Sequence, residues 1–124
     1  MSKTDSIKWA AKPAEDDYPS AYAYLSLVYG KKSGKLLEKL RKARVTRYTA
    51  KDILRASRLS VLNPSEAHVT RDQQKIVSGE KLSPILLVQD AAARRVFIAD
   101  GYHRMCAVYL LDPDAVVPCK IVWV

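Results

Sequence analysis

Asp100-Gly101-Tyr102-His103-Arg104 lies between a short apolar run, residues 95–99, and a run of helical character, residues 105–111. The pattern predicts a strand that turns directly into a helix at Gly101. Such a junction leaves the first backbone N–H groups of the helix without intrahelical partners, and they carry roughly half a positive charge from the macrodipole. Gly101 lets a ligand approach the backbone, Arg104 can fork onto an oxyanion, and His103 adds a donor or a titratable base. With Tyr102 these residues make a phosphate-binding candidate. Asp100 has two readings, a helix cap or a ligand for a magnesium ion that bridges to phosphate oxygens. The plain alternative for the whole element is structural: Asp100 caps, Tyr102 fills a groove and Arg104 makes a surface ion pair.

Outward from this turn, residues 84–89 and 95–99 read as two strands joined by a short loop, and residues 116–124 as a last strand. Their near-continuous apolar runs predict a sheet largely covered by helices. Upstream, residues 58–62 read as a first strand. Thr70 with Gln73 resembles a capping box for a helix ending near Gly79, and Thr49 with Asp52 another for a short helix. Pro19 and Gly30 bracket a helix in which Tyr18, Tyr22, Leu25 and Tyr29 recur as a core-facing stripe. A second helix follows Ser33, with Leu36, Leu37, Leu40 and Ala43 inward. The link over residues 44–48 leaves a helix-turn-helix open, and residues 1–16 read as a loose arm. The expected class is α+β, a small mixed sheet with flanking helices. Residues 1–48 form an N-terminal arm and helical extension, and residues 49–124 the main domain, packed as one globular unit.

The turn resembles that of the ParB/sulfiredoxin superfamily, whose small domains carry a Gly-x-x-Arg or Gly-Cys-His-Arg element at a strand-to-helix junction. The Asp-Gly-x-His-Arg form is most similar to the free serine kinase branch. Leu62-Asn63-Pro64-Ser65-Glu66 resembles that family's Pro-His-Glu segment, with serine in place of histidine, and residues 83–88 and 117–122 resemble two of its strands. The resemblance covers about half the chain. It implies a nucleotide ligand (ATP, ADP or CTP) with magnesium at Asp100, and either a small-molecule phosphotransferase or a nucleotide hydrolase. Glu66 would then be the catalytic base, Asp100 and His103 would share the catalytic role, and His103 and Arg104 would stabilise the transferred phosphoryl group. Tyr102 stands where sulfiredoxin has its cysteine, which argues against the reductase activity.

Size and composition set the frame. The chain has 124 residues, 48% of them hydrophobic and 27% charged, ordinary values for a globular domain with one core. Residues 1–12 lack the apolar core of a signal peptide, so a cytoplasmic protein without a membrane partner is expected. Cys106 and Cys119 stand in apolar runs and read as reduced core residues. The net charge of +8 is concentrated: residues 31–47 hold Lys31, Lys32, Lys35, Lys39, Arg41, Lys42, Arg44 and Arg47 against Glu38 alone. Lys31, Lys32, Lys35, Lys39 and Lys42 are therefore candidate nucleic-acid contacts, and a non-catalytic DNA-associated module is the second functional reading. The structural alternative is a solvated helix face.

Overall fold

The computed structural model describes residues 7–124. It is an α+β fold with 47% helix and 25% strand. In chain order the elements are β1 (Lys8–Trp9), α1 (Asp17–Tyr29), α2 (Ser33–Lys42), β2 (Val45–Thr49), α3 (Ala50–Ser57), α4 (Ala67–Val77), β3 (Lys81–Leu82), β4 (Ile85–Asp90), β5 (Arg95–Asp100), α5 (Tyr102–Leu111) and β6 (Val116–Trp123). A four-stranded mixed sheet has the order β2-β6-β4-β5. β6 runs parallel to β4, with Leu87 opposite Ile121, while the outer pairs β2–β6 and β4–β5 are antiparallel.

Both faces of the sheet are covered, and alternation along the strands decides which side chain meets which helix. Ile85, Leu87, Ile98, Val117 and Cys119 pack with Ile53 and Leu54 of α3, Val69 and Ile76 of α4, and Met105 to Val108 of α5. Leu86, Val88, Ala99 and Val122 pack on the opposite face with Tyr18, Ala21 and Leu25 of α1 and Leu36 and Leu40 of α2. Lys120 is the charged exception on that face. It is only 7% exposed, and its Nζ donates to Tyr18 Oη at 3.0 Å and to the Arg41 carbonyl at 2.8 Å. The helical N-terminal segment thus forms one wall of the core, and Thr49 both ends β2 and caps α3, its side chain accepting from Asp52 N.

Four sequence expectations change. Residues 58–62 form no strand: Arg58 takes a left-handed φ of 60° that closes α3, and the segment after it bonds to α5 side chains instead of a ladder. The sheet's first strand is β2, read above as a link, so no helix-turn-helix joins α2 to α3. Its Val-Thr-Arg-Tyr-Thr sequence is rich in the β-branched and aromatic residues that suit a pleated surface. The N-cap of α4 is Glu66 rather than Thr70, whose hydroxyl donates to the Pro64 carbonyl from within the helix. The N-terminal arm includes a short strand, because Lys8 and Trp9 pair in parallel with Lys81 and Leu82. In the tyrosine stripe Tyr18 and Leu25 are buried, whereas Tyr22 is 39% exposed.

Tyr29 links α1 to the β4–β5 turn, donating from its hydroxyl to Asp90 Oδ2 at 2.8 Å. The Ala93 N–H and this hydroxyl both stabilise the Asp90 carboxylate and hold its pKa below the ordinary value of 3.8. A depressed folded-state pKa contributes stability above the unfolded value that is lost as pH falls through the folded one. Tyr29→Phe should therefore destabilise the protein at neutral pH, and the difference from wild type should shrink to nothing in strong acid. Denaturant titrations from pH 7 down to about pH 2 measure this; a difference that persists at the acid end would assign the loss to packing.

Candidate functional site

The turn at Gly101 is sterically fixed. Gly101 has φ +110°, and a Cβ there would lie 2.5 Å from Ile85 Cδ1 and 2.8 Å from an Arg104 terminal nitrogen. Only glycine fits, and β5 passes into α5 without an intervening loop. No side chain caps the N-terminus of α5. Asp100, one of whose readings was that cap, instead accepts from Arg104 Nη2 at 3.0 Å through Oδ2.

Arg104 reaches a second carboxylate. Its Nη1 lies 3.8 Å from Asp17 Oδ1, within ion-pair range but beyond hydrogen-bonding distance. Asp100 and Asp17 are each 13% exposed at the side chain, Arg104 is 17% exposed, and the buried Arg104 Nε has no hydrogen-bond partner. Burial outweighs the nearby guanidinium and holds the Asp100 carboxyl above its ordinary pKa, while Asp17 adds repulsion and a Ser20 hydrogen bond works the other way. This arrangement does not suit Asp100 as a magnesium ligand, because one oxygen is committed to Arg104 and a divalent cation there would stand against the guanidinium. Asp100 orients Arg104. Asp17, at the start of α1, has no counterpart in the sequence reading because it is 87 residues from Arg104.

His103 points to a different group. Its ring lies 4.6 Å from that of His68, centroid to centroid, with 35° between the planes. His68 Nδ1 is 2.9 Å from Glu66 Oε1, and Glu66 Oε2 accepts the Val69 N–H at 2.9 Å as the α4 cap. These two bonds, His68 first, hold the Glu66 carboxylate below its ordinary pKa, so it is ionised at neutral pH. Donor atoms of Glu66, His68 and His103 all lie within 4.8 Å of one another. The structure thus brings together Glu66 and His103, picked from separate motifs, and adds His68, whose signal is the Glu-x-His spacing in the first turn of the amphipathic helix α4.

The loop that carries Glu66 is braced from both sides. Asn63 Oδ1 accepts from the Ser65 N–H and hydroxyl, and the Glu66 N–H donates to the Asn63 carbonyl. Tyr102 donates from its hydroxyl to the Ser60 carbonyl, and Cys106 Sγ accepts the Leu62 N–H at 3.4 Å. Tyr102 is thereby a fastener for this loop, with its polar atom committed away from a ligand. Cys106 and Cys119 are free and buried, and burial raises both thiol pKa values, that of Cys119 to about 11.

The basic segment presents a second feature. Lys31, Lys32, Lys35, Lys39 and Lys42 are all exposed. Lys39, Lys42 and Arg44 line an open groove of about 570 Å³ together with Tyr48, Val122 and Trp123. Trp123 is 62% and Tyr48 48% exposed, two aromatic surfaces that the sequence reading did not single out. Arg41 stays exposed but is engaged within the chain, pairing with Glu15 at 3.0 Å and lying 4.3 Å over the Tyr18 ring.

Gly101→Ala should destabilise the protein by about 2–4 kcal/mol, the sum of a strained left-handed backbone and an overlap that the Ile85 contact cannot absorb without repacking. Thermal or denaturant melts check this, and a loss below about 0.5 kcal/mol would mean the turn relaxes freely. No helix of the described residues is long and apolar enough to cross a membrane. Compared with known proteins, the chain matches no family model, no curated protein and no solved structure.

Proposed function

We propose that this chain is a ParB/sulfiredoxin-like domain that binds the phosphate of a nucleotide or phosphorylated small molecule at the start of α5. The observation that carries the reading is the uncapped α5 N-terminus flanked by His103 and Arg104, with the Glu66–His68 pair beside it. Free N–H groups, an oriented guanidinium and an imidazole supply donors for phosphate oxygens. Glu66 is the ionised proton acceptor for a substrate hydroxyl in a phosphotransferase, or for water in a hydrolase. Its lowered pKa makes it a weak base alone; its bond to His68 lets the pair share the proton.

Calorimetry with ATP, ADP, CTP and inorganic phosphate, each with and without magnesium, tests the site. His103→Ala should weaken binding about tenfold, or 1.4 kcal/mol, and leaves the Asp100–Arg104 pair intact. Arg104→Lys should weaken it further because the planar fork is lost. No binding of any of these ligands at millimolar concentration would refute the reading. Where turnover is found, Glu66→Gln should lower it by about 10²-fold with ligand affinity little changed.

The groove beside α2 favours a second reading, a DNA-associated module that takes single strands. Exposed lysines track a phosphate backbone, and Tyr48 and Trp123 offer faces on which bases stack. Replacing Lys35, Lys39 and Lys42 by glutamine should flatten the log-log salt dependence of single-strand binding by about two units if all three make contact, and Trp123→Ala should weaken binding by about 1–3 kcal/mol. Gel shifts across a salt series read both; the absence of any complex at low salt would exclude it.

A further inference from the structure

Glu66, His68 and His103 come from two helices and converge at their first turns. Glu66 and His68 are placed by the start of α4, and His103 by the Gly101 turn that starts α5. In each residue one metal-ligating atom lies within 4.8 Å of those of the other two. We propose that these three side chains form a binding site for a first-row transition-metal ion of the zinc class.

The donor set identifies the ion. Two imidazoles and one carboxylate suit zinc and its neighbours, whereas magnesium prefers an all-oxygen shell. Bonds of about 2.0–2.2 Å to a tetrahedral ion put ligand atoms about 3.3–3.5 Å apart. The Glu66–His68 separation of 2.9 Å is already slightly shorter. The wider spread closes by side-chain rotation at His68, which is 54% exposed and would exchange its bond to Glu66 for the bond to the ion. The ion would replace the Nδ1 proton that His68 donates to Glu66 Oε1.

Support behind the ligands is built in. Glu66 Oε2 is held by the Val69 N–H, which fixes the carboxylate and leaves Oε1 turned to the histidines. His103 is one residue from Arg104, so the ion would lie beside the phosphate candidate and take only the His103 imidazole from it, leaving Arg104 and the α5 N–H groups. Three protein ligands leave at least one coordination position for water or an oxygen of an anionic ligand, the pattern of an open rather than a purely structural site. This inference goes beyond the phosphate reading and does not depend on it.

The test uses untagged protein, stripped with chelator, in buffer free of phosphate and nucleotide. Zinc titrated against a chromophoric competitor should bind with one equivalent in the micromolar range or tighter. His68→Ala and His103→Ala should each lower the affinity by at least about tenfold while circular dichroism stays unchanged. Cobalt(II) bound to wild type should give the visible bands of a low-coordinate nitrogen and oxygen site without thiolate charge transfer, which decides the matter even if a variant misfolds. Millimolar zinc affinity, unchanged affinity in both histidine variants, or a thiolate cobalt spectrum would overturn the proposal. Failure of phosphate ligands to bind would leave this outcome untouched, so the two readings separate.

Discussion

The close approach of Gly101 to Ile85 is the constraint from which the rest of the site follows. Ile85 is fully buried in β4, so it cannot yield, and the chain above it must turn with a positive φ and no side chain. That turn sets the phase of α5. With the phase fixed, Arg104 falls over Asp100 one turn back, His103 falls toward α4, and Tyr102 and Cys106 fall toward the loop before it. A helix entering by a longer loop would have a free rotation about its axis, and these four contacts would no longer be made by neighbouring positions.

The Arg104 cluster shows why the N-terminal helices belong with the site. A largely buried guanidinium between two carboxylates costs desolvation, and removing any one member would leave an uncompensated charge. Asp17 supplies one of the carboxylates from α1, the helix that also covers Leu86, Val88 and Ala99. The same helix therefore closes one sheet face and sets the local charge at the strand-to-helix turn.

How much could be read from the sequence depended on the range of the deciding interaction. The α5 turn, the β4–β5 pair and the Thr49 cap were legible because each is specified within a few residues. Residues 58–62 alternate as a strand does, yet their backbone partners are Tyr102 and Cys106, more than 40 residues away. β2 reads as a link because it joins two helical stretches, and only its register with β6 makes it a strand. At the site, Glu66 and His103 stood out through their motifs, but their meeting with His68 depends on α4 packing against α5, and Asp17 depends on α1 lying across the sheet. No local pattern encodes either.

The strand order has a kinetic consequence. β6 is the last strand in sequence but sits between β2 and β4, so neither half of the sheet connects to the other until it is in place. During synthesis, β2 waits for a partner some 70 residues downstream, and one edge of the β4–β5 hairpin remains open. Both are unpaired edges able to recruit foreign strands. The helices α1 and α3 can already pack on β5, so the nascent chain can be compact yet carry two open strand edges until β6 inserts, which makes that insertion the step at which strand-edge aggregation competes with folding.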